Sequence, residues 1–146
     1  MLTLNFSLGL RRGDAASVRR TLFQGERSRT TVREDLITEL RQQTNAEWAG
    51  VVTRSGLLIE LSPAADSDAE PSAALLPSIE EQAQSLLQHW GNSELQRLTI
   101  LGDKGILVGQ HIGTRHMLVV HCTRGTNLGI IQDRLSDIAK RMEPLL

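Results

Sequence analysis

Apolar and polar positions alternate without a fault over residues 1–10, MLTLNFSLGL, with Leu2, Leu4, Phe6, Leu8 and Leu10 on one side and Thr3, Asn5, Ser7 and Gly9 on the other. Period two predicts a strand with one buried face. Residues 11–33 then carry seven of the sixteen basic residues and few large apolar ones. That composition buries too little surface to offset its ordering entropy, and predicts a basic tether over 11–30, with at most a short helical turn. It reads as a solvated linker, or as a basic arm for an acidic partner or anionic lipid. Thr31 and Glu34 have the spacing of a capping box, so a helix is expected from Thr31, with Leu36, Ile37 and Leu40 as its stripe and Thr44 and Asn45 as its stop. EWAGVVT, the turn Ser55-Gly56 and LLIEL follow as a hairpin, anchored by Trp48, Val51 and Val52. SPAADSDAE is a small acidic loop.

The central helix is expected over residues 71–90. Pro71 suits its first turn, and Leu75, Leu76, Ile79, Ala83, Leu86, Leu87 and Trp90 recur at three- and four-residue steps. Gly91 sits where a left-handed cap ends such a helix. LQRLTILG, GILVGQHI and HMLVVHC, separated by the turns Gly102-Asp103-Lys104-Gly105 and Gly113-Thr114-Arg115, predict a three-strand meander. A closing helix begins near Asn127, with Leu128, Ile131, Leu135, Ile138 and Met142 on one side. The sum is an α/β chain of the α+β kind. A five-stranded, largely antiparallel sheet has helices on both faces in the order α-β-β-α-β-β-β-α, with the N-terminal strand as an extra edge.

Composition narrows what this fold does. The 146 residues are 40% hydrophobic, enough for one core and one domain, 31–146, with the first thirty residues as an appendage. A net charge of -1 supplies no positive field for nucleic acid. No apolar run reaches the roughly 20 residues of a membrane span, and the start lacks the pattern of a signal peptide. The single cysteine, Cys122, lies in an apolar run as a reduced thiol does, so a cytoplasmic protein is expected.

Candidate chemistry is sparse. His111, His116, His121 and Cys122 come from neighbouring strands, but His121 and Cys122 are adjacent in a strand and point to opposite faces, so no metal site is expected. Ser55 sits in a hairpin turn and not in a nucleophile elbow, and Cys122 has no activating base beside it. Gly102, Gly105 and Gly109 with Lys104 lack the ending of a nucleotide loop and the helix that would follow it. No catalytic residue and no cofactor is expected. Glu80 and Glu81 read as solvated surface or, with Gln84 and Gln88, as a partner-binding face. The apolar stripe of the central helix is wider than one sheet face requires, which fits an isologous dimer through that helix, or a monomer with a generous core.

Three segments, AGVVTRSGLLIEL, LTILGDKGILVGQHI and HMLVVHCTRGTNLGIIQDRL, resemble the roadblock/dynein light-chain family over roughly residues 35–142. The first thirty residues and the acidic loop before the central helix depart from the family pattern. The resemblance implies a roadblock/profilin-like sandwich that pairs with itself or with a second roadblock protein, through strand 94–101 and helix 71–90. The interface then draws on Leu75, Ile79, Ala83, Leu86, Leu87, Trp90, Leu95, Arg97 and Thr99. It also implies a non-enzymatic regulator or scaffold for a Ras-like small GTPase. Arg54 and Arg97 are surface arginines that do not qualify as an arginine finger. Two other classes stay open: a profilin/PAS-like ligand-sensing module, and a structural subunit whose residues 1–10 complete a neighbour's sheet.

Overall fold

The structure, a computed structural model, describes the backbone of residues 12–66 and 68–146 and the side chains of residues 28–66 and 68–146. The strand expected at residues 1–10 lies outside the described residues. The chain divides into two compact units, Met1–Val32 and Arg33–Leu146. All strands, the second and third helices and the last turns of the first helix belong to the second unit.

Helix α1 spans Arg12–Thr44, so the helix reaches well ahead of the expected start at Thr31, and the stretch expected as a tether is helical from Arg12. Arg, Glu and Ala are good helix formers without an apolar stripe, so propensity forms this helix where periodicity gives no signal. Its C-terminus ends as the sequence requires. Asn45 takes φ 53, Ala46 N–H reaches back to Arg41 O at 2.9 Å and Asn45 N–H to Gln42 O at 3.3 Å, the paired bonds of a Schellman motif.

Strands β1 (Trp48–Thr53), β2 (Leu58–Ser62), β3 (Arg97–Leu101), β4 (Gly105–Ile112) and β5 (His116–Thr123) form one antiparallel sheet in the order β2-β1-β5-β4-β3. Period-two alternation sorts their side chains onto two faces. Ala49, Val51, Ile106, Val108, Ile112, Leu118, Val120 and Cys122 pack with Leu36, Ile37 and Leu40 of α1 and with Ile131, Leu135, Ile138 and Met142 of helix α3 (Leu128–Met142). Each of those α3 side chains is fully buried, worth about 1.5–3 kcal/mol apiece. On the opposite face Trp48, Val52, Met117 and Val119 seat Ala69, Ala73 and Leu76 of helix α2 (Ala69–Gln88).

Helix α3 starts where expected, and Asn127 caps it, its side chain accepting from Ile130 N–H at 3.1 Å. Asn127→Ala should lower unfolding free energy by about 1 kcal/mol in a denaturant titration, since one helix-end donor then loses its partner. Cys122 is fully buried, and burial pushes its thiol up to about 11, with Glu47 adding to the rise and a hydrogen bond to Thr44 opposing it. A disulfide reagent at pH 7 should therefore modify Cys122 only in denaturant, because the thiolate is the attacking species.

Helix α2 contains Pro77, which the hydrophobic pattern of the sequence does not announce. Proline removes the N–H that would bond the carbonyl of Ala73, and the β1–β2 turn fills that notch. Gly56, at φ +89, comes so close that a Cβ there would lie 3.0 Å from Pro77 Cγ and 3.1 Å from Ala73 O. The helix ends at Gln88, two residues before the expected Trp90, and Gly91 follows at φ +97.

Candidate functional site

The apolar stripe of α2 splits in two. At 3.6 residues per turn, the row Ala69, Ala73 and Leu76 and the row Leu75, Ile79 and Leu86 lie roughly 100° apart around the helix. The first row is buried on the sheet, whereas Leu75 is 64% exposed, Leu86 56% and, just past the helix end, Trp90 70%. Ile79 in the second row, Ala83 between the two and Leu87 in the phase of the first are half-buried. Large apolar side chains exposed along one helix face make this row the candidate contact surface.

Strand β3 is one edge of the sheet, and among the described residues only β4 pairs with it. Gly102 N–H donates to Gly105 O and His111 N–H to Gln96 O. In an antiparallel ladder this phase turns the main-chain groups of Leu98 and Ile100 toward β4, and those of Arg97, Thr99 and Leu101 toward the open edge. Leu101, 65% exposed, and Ile100, 39% exposed, add apolar area there. An open edge of this kind is a template for pairing with another chain.

Some expected interface and partner residues have other tasks. Leu95 is buried within the chain, and its N–H donates to Gln84 Oε1 at 2.8 Å while Gln84 Nε2 donates to Ser93 O at 2.9 Å. Gln84 thus clamps the α2–β3 connection to α2, and is not a free contact residue. The Arg97 guanidinium is spent inside the fold, donating to Gln110 Oε1 at 2.6 Å and Ser136 Oγ at 2.9 Å. The Arg97 side chain is therefore not available as an interface contact, because β4 and α3 supply acceptors that no local motif reveals. Glu80 bonds His111 Nε2 at 2.7 Å. Glu81 and Gln88 are exposed.

A cleft of about 370 Å³ opens on the other flank of α2. Glu80, Glu81 and Gln88 form the helix wall, and Arg54, Thr114, Arg115 and His116, from the β1–β2 and β4–β5 turns, form the wall at the sheet end. Burial, helped by the neighbouring Arg115 charge, lowers the pKa of His116 below its usual 6.5. The sequence does not show this cleft, since its residues meet only through the strand order. His121 lies beside Trp48 with ring centroids 6.2 Å apart, away from His111. Among the described residues no group of three or more His, Cys, Asp or Glu side chains is placed to hold a metal ion, and no helix is long and apolar enough to cross a membrane.

Solved structures similar to this chain share its fold. Myxococcus xanthus MglB superposes with a TM-score of 0.71 at 22% identity, over 79% of this chain and 94% of that one. The gliding protein MglB from Thermus thermophilus gives 0.70 at 17% identity, over 77% of this chain and 87% of that one. A Roadblock/LC7 domain from Streptomyces avermitilis gives 0.70 at 18% identity, over 76% and 94%. A search of curated protein sequences gives no match. The Roadblock/LC7 domain profile matches residues 32–121, more than half of the chain, and the chain belongs to the Roadblock/LC7 family.

Proposed function

We propose that this protein is a non-enzymatic, dimeric regulator or scaffold that binds a Ras-like small GTPase and biases its nucleotide state in the cytoplasm. One observation carries the proposal: among the described residues the chain leaves both an apolar row, Leu75, Leu86 and Trp90, and the β3 edge uncovered. Two copies related by a two-fold axis bury both features at once, extending the sheet across the dimer and laying two α2 helices side by side. The helix pair then forms a platform with Glu81 and Gln88 on its solvent side, where a globular partner docks. The likeness to MglB structures supports this reading through the fold. Binding without catalysis fits the state of the side chains, since Cys122 is buried with a raised pKa and Ser55 is engaged by Thr53 at 3.0 Å. In a pull-down with the Ras-like GTPases of the same cell, the protein should retain one of them in a GTP-analogue-loaded or GDP-loaded state and discriminate between the two. Retention of none in either state refutes the proposal.

A further inference from the structure

We infer that the cleft between α2 and the two sheet-end turns binds a small zwitterion of the amino-acid class, with its carboxylate against Arg54 and Arg115 and its ammonium against Glu81 and Glu80. The inference does not rest on the GTPase reading.

The cleft exists because α2 changes character along its length. Ala69, Ala73 and Leu76 fill the sheet-facing phase of its first half, but one turn on, the same phase carries Glu80 and then Gln84, with only the half-buried Leu87 returning an apolar side chain to it. No residue of α2 beyond Leu76 is fully buried. Helix and sheet therefore part, leaving about 370 Å³, at the small end of the range for ligand pockets. An amino acid or a dipeptide fits that space.

Charge is segregated across the opening. Arg54 N–H donates to Arg115 O at 3.0 Å, and the Arg54 guanidinium donates to Thr114 O at 3.1 Å, so the two turns form one unit that carries both arginines. The remaining guanidinium donors are suited to a carboxylate, which they bind in a planar fork. Across from them stand Glu80, held by His111 at 2.7 Å, and the exposed Glu81. With two carboxylates opposite two guanidiniums, a polyphosphate or a polycation meets like charge on one wall, whereas a ligand with one charge of each sign satisfies both walls. Met117 and Leu95, the most buried of the lining residues, offer apolar contact for its hydrocarbon part.

Saturation-transfer NMR on the full chain with the twenty free L-amino acids tests this. At least one amino acid should respond. Its affinity should fall tenfold or more when it is N-acetylated, when it is methyl-esterified, and in the Arg54→Ala/Arg115→Ala variant, while Glu81→Gln weakens it and Arg124→Ala, outside the cleft, leaves it unchanged. Arg54 and Arg115 are exposed, so these variants fold, as circular dichroism will verify. The inference is overturned if no free amino acid responds, or if the responder tolerates both caps and the double substitution. Lost GTPase retention in the double variant, without any responding amino acid, also overturns it and reassigns the cleft to a loop of the protein partner.

Discussion

Leu75→Asp combined with Leu86→Asp is expected to convert a dimer of about 32 kDa, twice the 16.1 kDa chain, into a folded monomer in light scattering. Both leucines are more than half exposed in the single chain, so replacing them leaves its core intact. The cost to the monomer is about 0.3–1 kcal/mol, from a carboxylate at position 86 near the negative end of the α2 dipole. At the interface the loss is far larger. Each leucine forfeits about 1.5–3 kcal/mol of burial, symmetry doubles every loss, and four carboxylates would have to be desolvated or held near one another. Dissociation should leave Trp90 in water and shift its emission to the red, with the far-ultraviolet dichroism unchanged. A variant that keeps the dimer mass removes α2 from the interface.

Trp48→Ala should be the most destabilising single change. Trp48 is 1% exposed and stands in the cluster of Val52, Ala69, Ala73, Leu76, Met117 and Val119 that seats the first half of α2. Truncating a buried tryptophan costs about 3–5 kcal/mol in lost transfer energy and residual cavity, a large share of the about 5–15 kcal/mol that holds a domain of this size. A fall in Tm on the order of 10 °C follows at about 2–4 °C per kcal/mol. Since α2 is the element it releases, dimer affinity should fall with it. A Tm within 2–3 °C of the parent, by about the same conversion, would mean that α2 is held by other contacts.

Much of the fold is legible in the sequence because its signals are local. The turns at 102–105 and 113–115 delimit β4 and β5, the three- and four-residue spacing of Ile131, Leu135, Ile138 and Met142 sets the buried face of α3, and Asn127 and Asn45 mark helix ends through their own hydrogen bonding and backbone angles. The first turns of α1 escape because a helix without an apolar stripe has no period to read. Pro77 escapes for the opposite reason: the apolar spacing continues through it, and only the glycine approaching from the β1–β2 turn shows how the notch is filled. The site is legible in part. The α2 row follows from a stripe too wide for one sheet and the β3 edge from what the family resemblance implies, but spacing cannot tell Leu76, which faces the sheet, from Leu75, which faces solvent. Arg97 and Gln84 mislead because their partners, Ser136 and Leu95, lie 39 and 11 residues away, and polar contacts at that range leave no trace in periodicity.

The proposed self-association face joins the α2 row and the β3 edge. Amide hydrogen exchange at Thr99 and Leu101, whose N–H groups point to the open edge, tests it most directly. Both amides should be protected like those of an interior strand in the parent protein and exchange as open-edge amides in the Leu75→Asp/Leu86→Asp variant. Fast exchange at Thr99 and Leu101 in the parent at concentrations where its mass is dimeric would overturn this face and move the interface off β3.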